Sequence, residues 1–121
     1  MKHAEEFVRL VDDAKKRIRE ITPEEVRSRQ AKGEGMILVD TREDREWDAG
    51  HIAGARHIGR GVIERDITRE IPDKSAEIVL YCGGGFRSAL AADNLQKMGY
   101  TNVRSMSGGW REWVARAYPT E

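Results

Sequence analysis

Two hydrophobic patterns alternate along this chain. Continuous apolar runs at residues 36–39 and 78–81 predict strands. A last strand is predicted to begin at Val103, and residues 56–58 predict a further brief one. Between them lie stretches in which apolar residues recur every three or four positions, as in helices with one buried face. Short apolar strands that alternate with helices are typical of a mostly parallel sheet covered on both sides. The pattern therefore predicts an α/β fold.

The first predicted helix covers residues 4–20, with an apolar face formed by Phe7, Leu10, Val11, Ala14 and Ile18. A second begins at Thr22, a suitable N-cap, with Pro23 in the first helical position, and ends at Gly33. Further helices are predicted at residues 43–49, 87–98 and from Gly109 onward, whereas residues 59–71 are mixed and show a weak helical pattern. No repeat, low-complexity stretch or linker separates these elements, so one domain is expected.

Composition narrows the possible partners. The chain has 121 residues, and its 21 basic and 21 acidic residues give a net charge of zero. A neutral chain offers no electrostatic basis for binding nucleic acid or an anionic membrane. No apolar run approaches the ~20 residues of a membrane-spanning helix, and the N-terminus turns acidic where a signal peptide turns apolar. We therefore expect a cytoplasmic protein without nucleic acid or membrane partners.

The chain contains one cysteine, Cys82, which directly follows the apolar run at residues 78–81. One cysteine excludes an internal disulfide. After it come a glycine-rich loop and a helix start: Gly83, Gly84, Gly85, Phe86, Arg87 and Ser88. Inward-pointing N–H groups and the helix dipole stabilise an anion, so they favour a thiolate at this position. We predict a nucleophile in a binding loop; the alternative is a buried core cysteine before an ordinary turn.

Polar residues near the loop are further candidates. Arg87 would oppose the helix dipole as a mere surface cation, which favours a role in binding a donor anion. Ser88 either donates its hydroxyl to the loop or helps to start the helix. Asp40 follows the buried strand at residues 36–39, at the sheet edge where Cys82 is expected, and is predicted to pair with loop amides or an arginine. Arg42 lies either in the pocket or at the surface.

Three motifs in this order resemble those of single-domain rhodaneses, a sulfurtransferase family. They are residues 38–55, which include Leu-Val-Asp-Thr-Arg-Glu and Gly-His-Ile-Ala-Gly-Ala, the cysteine loop, and Gly108-Gly109-Trp110 followed by Trp113. The resemblance implies an open, five-stranded parallel sheet with helices on both faces. It divides the chain into an extra N-terminal helix (1–20), a rhodanese-like domain (21–117) and a C-terminal tail (118–121).

By the same resemblance, Cys82 takes a sulfane sulfur from a donor such as thiosulfate or glutathione persulfide and holds it as a persulfide. The acceptor is cyanide, a thiol or a protein thiol, and Asp40 and Arg42 support the loop or line the pocket. An open alternative is a persulfide carrier or interaction module that serves a protein partner with little small-molecule turnover. Because three glycines leave the loop mouth without side chains, we expect few basic groups there, which disfavours thiosulfate as the donor.

A rhodanese-fold phosphatase is the remote alternative. Four residues separate Cys82 from Arg87, whereas phosphatases of similar fold have five, and the shorter ring suits a single sulfur atom. Transfer to an ionised thiolate needs no general base, so His51 and His57 are not expected to be catalytic. We expect no cofactor and no metal, since one cysteine and scattered histidines do not form a ligand set. Glu46 and Trp47 are interpreted as a surface charge and a core anchor.

Overall fold

The structure is a computed structural model that describes residues 2–121. Its single sheet contains the strands β1 (Arg19–Ile21), β2 (Ile37–Asp40), β3 (Arg56–His57), β4 (Ile78–Tyr81) and β5 (Val103–Met106). The helices are α1 (Glu5–Lys15), α2 (Pro23–Ala31), α3 (Asp44–Asp48), α4 (Ile63–Glu70), α5 (Phe86–Lys97) and α6 (Gly109–Ala115). The strand order is β1-β5-β4-β2-β3, and every neighbouring pair is parallel. The predicted open parallel sheet is confirmed.

The sheet separates two apolar layers. On one face, Ile63 and Ile67 of α4 and Leu95 of α5 pack against the strands. On the other face, Val26 of α2 and Trp113 of α6 form the second layer. All four residues of β4 are buried, which explains why this central strand has a continuous apolar sequence. Within residues 2–121, no helix has both the length and the apolar sequence that crossing a bilayer requires.

The edge strand β1 was not predicted. The sequence suggests one helix over residues 4–20, but α1 ends at Lys15, and Arg19–Ile21 pair with β5. Only Ile21 of this strand is buried, so β1 contains no apolar run that would distinguish it from the end of an amphipathic helix. An edge strand needs one neighbour and one buried face, and its sequence signal is correspondingly weak.

The N-terminal helix α1 packs against α5 of its own domain. Val11 and Ala14 are buried in this contact, whereas Leu10, predicted on the same apolar face, is 56% exposed. Beyond the end of α1, Arg17 donates hydrogen bonds of 3.0 and 2.8 Å to the carboxylate of Asp93 on α5. These bonds lower the pKa of Asp93. The packing and the ion pair together fix the residues that precede α1 near the start of α5.

The C-terminal residues fold back on the turn after α3. Thr120 forms an antiparallel bridge with Ile52, and the backbones of His51 and Glu121 exchange hydrogen bonds of 2.9 and 2.8 Å. The division of the chain into residues 1–20, 21–117 and 118–121 stays a prediction.

Candidate active site

Cys82 lies at the carboxyl edge of the sheet, directly after β4, and is 1% exposed. Its Sγ accepts hydrogen bonds from the backbone N–H groups of Gly85 at 3.2 Å and Ser88 at 3.4 Å. Two N–H dipoles and the N-terminus of α5 thus converge on one sulfur atom. They stabilise negative charge there, which is the environment that makes a cysteine nucleophilic.

A buried pair of hydroxyls extends this environment. The Oγ of Ser88 is 3.6 Å from the sulfur of Cys82 and 2.8 Å from the Oγ of Ser105 on β5. Both serines are fully buried. The neighbouring strand therefore holds the Ser88 hydroxyl beside the sulfur, and of the two roles considered for Ser88 the geometry favours contact with the cysteine. Nothing in the local sequence around Ser105 indicates this contact.

The start of α6 is held against the cysteine loop by two backbone hydrogen bonds, and we call this contact of residues 109–111 with Cys82 and Gly83 the clamp. The N–H of Trp110 donates to the carbonyl oxygen of Cys82 at 2.7 Å, and the N–H of Arg111 donates to that of Gly83 at 3.1 Å. Gly109 approaches so closely that a Cβ there would lie 2.3 Å from the Cys82 carbonyl oxygen. The Gly-Gly-Trp motif is therefore a packing surface for the loop, and no side chain fits at Gly109.

The guanidinium of Arg87 is paired with a carboxylate at the mouth of the site. Its guanidinium donates to both carboxylate oxygens of Glu46 on α3, at 2.8 and 3.3 Å. These bonds lower the pKa of Glu46. Glu46, interpreted from the sequence as a surface charge, is partly exposed and forms an ion pair with Arg87 at the mouth of the site. The two residues are 41 positions apart in the chain, so only the fold brings them together.

Arg111 on α6 is a site residue that the sequence analysis missed. One of its guanidinium nitrogens is 3.3 Å from the place that a Cβ on Gly84 would occupy, and 3.8 Å from the corresponding place on Gly83. The glycines that leave the loop without side chains therefore make room for a cation from another helix. The expectation of a loop mouth poor in basic groups is wrong. The available signal was the position of Arg111 directly after the Gly-Gly-Trp motif.

Cys82 opens into a cavity of about 350 Å³. One wall is aromatic: the ring of His3 lies 4.5 Å, and that of Phe7 5.9 Å, from the ring of Phe86. The N-terminal segment thus forms part of the site. The charged lining residues are Glu43, Arg45, Glu46, Arg87 and Arg111. A larger cavity of about 800 Å³ lies nearby, but Cys82 does not line it, so we place the candidate site in the smaller one.

Asp40 and Arg42 form a buried ion pair beside the site. Arg42 donates to the Asp40 carboxylate at distances from 2.8 to 3.1 Å and to the carbonyl oxygen of Gly50 at 2.7 Å. The surface alternative for Arg42 is thus wrong, since it is 3% exposed. Its guanidinium lies 4.6 Å from the Trp110 ring centroid, so the pair contacts the clamp and not the sulfur. A supporting role for both residues stays a prediction.

His51 and His57 pack on Trp47. The ring of His51 stacks on it at 3.5 Å and that of His57 at 5.0 Å. Trp47 is only half-buried, so it anchors this aromatic stack and not the core as expected. Neither histidine lines the cysteine cavity. Within residues 2–121, no group of three or more His, Cys, Asp or Glu side chains is placed to hold a metal ion.

The family follows from a match to the model of the rhodanese-like domain, which covers residues 22–116. The chain belongs to the rhodanese-like family. Relatives include the thiosulfate sulfurtransferase GlpE of Pseudomonas putida, 37% identical over 74% of this chain and 79% of its own length. A second is the putative sulfur carrier protein YrkF of Bacillus subtilis, 31% identical over 82% of this chain. This chain spans only 52% of the length of YrkF.

One solved structure shares the fold of this rhodanese-like protein over its full length. A protein of unknown function from Rhodopseudomonas palustris, described as a possible tyrosine phosphatase, superposes with a TM-score of 0.85 at 28% identity. The match covers 100% of this chain and 98% of the other. It therefore includes α1, which lies outside the part matched by the family model.

Proposed function

We propose that this rhodanese-like protein is a sulfurtransferase that carries a sulfane sulfur as a persulfide on Cys82. One observation carries the proposal: the sulfur of Cys82 accepts hydrogen bonds from two backbone N–H groups, and Cys82 lines a cavity. Relatives named thiosulfate sulfurtransferase support the same reaction class. A single free cysteine as nucleophile suits a reducing compartment, so we place the reaction in the cytoplasm.

In the first half-reaction, the Cys82 thiolate attacks the outer sulfur of the donor. With thiosulfate, a new S–S bond forms to Cys82, the S–S bond of thiosulfate breaks, and sulfite leaves with the electron pair. With glutathione persulfide, the glutathione thiolate leaves in the same way. The N–H groups of Gly85 and Ser88 stabilise negative charge at the cysteine sulfur before the attack.

In the second half-reaction, an acceptor removes the outer sulfur. The carbon of cyanide, or the sulfur of a thiolate, bonds to it, and the electron pair of the broken S–S bond returns to Cys82 as thiolate. The cycle needs no metal, no external oxidant and no general base. It therefore uses only groups that the loop already contains.

A persulfide carrier is the second candidate. Glu46 occupies the guanidinium of Arg87, so the loop's own cation is engaged when a small anionic donor arrives. YrkF is named a putative sulfur carrier. A carrier would form the same Cys82 persulfide but pass it to a protein thiol faster than to cyanide. The phosphatase alternative remains remote, because only four residues separate Cys82 from Arg87.

Steady-state kinetics test the proposal. With thiosulfate and cyanide both varied, we expect parallel double-reciprocal lines, since the persulfide separates the two half-reactions in a ping-pong cycle. Intersecting lines would mean that donor and acceptor react in one ternary complex and would contradict the proposal. Persulfide formation together with slow cyanide turnover, relieved by a protein thiol acceptor, would favour the carrier.

A further inference from the structure

The three arginines that line the cysteine cavity differ in their partners. Arg87 donates to Glu46 at 2.8 Å, and Arg45 lies 3.4 Å from Glu43. Both carboxylates line the same cavity, so each offsets one of these cations. Arg111 forms no ion pair with any group in residues 2–121. With His3 counted as neutral and the Cys82 thiolate left aside, the net positive charge of the cavity wall is that of Arg111.

We propose that Arg111, and not Arg87, binds the anionic group of the sulfur donor. This inference rests on the proposed function and names the ligand class of the same site. The class is a small donor whose transferable sulfur is attached to a group bearing a sulfonate or a carboxylate. Thiosulfate represents the first chemistry and glutathione persulfide the second.

Position and chemistry support Arg111 in this role. Its guanidinium lies over Gly84, two residues from Cys82, and its backbone N–H is tied to Gly83 at 3.1 Å. A guanidinium presents paired N–H donors that match the planar spacing of carboxylate oxygens or two oxygens of a sulfonate. A donor held there has its anion on the α6 side of the loop and its sulfur toward Cys82.

Glu46 explains why the two arginines are not equivalent. An anion that approached Arg87 would have to displace a carboxylate bonded through both of its oxygens. An anion that approaches Arg111 has no paired carboxylate to displace within residues 2–121. The aromatic wall of His3, Phe7 and Phe86 lies across the same cavity and offers an apolar surface to the uncharged part of an organic donor.

Alkylation of Cys82 tests the assignment without requiring sulfur transfer. Iodoacetate and iodoacetamide react with the same thiolate and differ in that only the first carries a carboxylate. Mass spectrometry measures how fast the unmodified protein disappears. Because the chain has one cysteine, this rate reports the alkylation of Cys82 alone. We use the rate constant for iodoacetate divided by that for iodoacetamide. A change in the fraction of thiolate affects both rate constants equally, so this ratio measures how strongly the site favours the anionic reagent.

In Arg111→Gln we expect this ratio to fall by about threefold to tenfold, as for loss of a partly exposed charged hydrogen bond. Arg116→Gln is the matched control, since Arg116 also lies at α6 but pairs with Glu24 and Glu112 outside the cavity. Its ratio should equal that of the wild type. In Glu46→Gln the ratio should rise, because Arg87 is released.

An unchanged ratio in Arg111→Gln, or an equal fall in Arg116→Gln, would overturn the inference. A larger fall in Arg87→Gln than in Arg111→Gln would also overturn it. Persulfidation rates with thiosulfate and with glutathione persulfide then identify the source of the anion, since only the donor held by Arg111 reacts more slowly in Arg111→Gln. Failure of both donors to persulfidate the wild type would defeat the proposed function, while the alkylation ratio would still decide the role of Arg111.

Discussion

Cys82→Ser should abolish sulfur transfer. We expect the rate of thiocyanate formation from thiosulfate and cyanide to fall by at least about 10³-fold, as on removal of other covalent nucleophiles. The serine hydroxyl is not ionised at neutral pH and cannot hold sulfane sulfur as a persulfide. The measurement is a steady-state assay at saturating donor and acceptor.

The control for this variant is a measurement of its thermal stability, which shows whether it still folds. The sulfur of Cys82 accepts hydrogen bonds from Gly85 and Ser88 of its own loop, and serine differs from cysteine by one atom. The thermal midpoint should therefore change little, and inactivity in a folded protein can be assigned to the nucleophile. Transfer activity near the wild-type level in Cys82→Ser would refute a persulfide on this residue.

Gly109→Ala should damage both stability and activity. The new Cβ would overlap the carbonyl oxygen of Cys82 at 2.3 Å, and the backbone of Gly109 has a φ of +55°. Overpacking and the left-handed backbone together should lower the free energy of unfolding by about 3 kcal/mol or more. The clamp between α6 and the loop must open, so we expect transfer to fall by about a hundredfold. Urea unfolding and the transferase assay measure the two effects.

Gly33→Ala is the matched control for the backbone contribution. Gly33 also has a positive φ, +73°, but a Cβ there meets no atom within 4 Å. It lies in the turn after α2, away from the site. We expect a loss of about 1–2 kcal/mol with normal transferase activity. If Gly109→Ala cost no more stability than Gly33→Ala and kept its activity, the clamp would not be required for the site.

Local patterns in the sequence explain how much of the fold could be predicted. The central strand β4 is buried on both faces, so its apolar run is unmistakable and its bounds agree with the prediction. The edge strand β1 has one buried residue, Ile21, and its sequence pattern predicts the end of a helix instead. Its strand conformation depends on pairing with β5, a contact that no local pattern contains.

The candidate site likewise has one part that the sequence predicts and another that only the fold brings together. The cysteine loop is contiguous in sequence, so its glycines and its helix start could be recognised together. Glu46, Arg111 and His3 reach the cavity from three other segments, and each looks like an ordinary surface residue in its own helix or terminus. The charge at the mouth of the site is thus a tertiary property. A prediction from the loop alone therefore underestimated the basic character of the pocket.

Intact-protein mass spectrometry under non-reducing conditions tests the central claim most directly. The wild type is incubated with thiosulfate and, separately, with glutathione persulfide, and each product is then treated with cyanide. A Cys82 sulfurtransferase gains one sulfur atom with at least one donor, loses it to cyanide, and shows no gain in Cys82→Ser. No gain with either donor, or an equal gain in Cys82→Ser, would contradict the proposal that Cys82 carries the transferred sulfur.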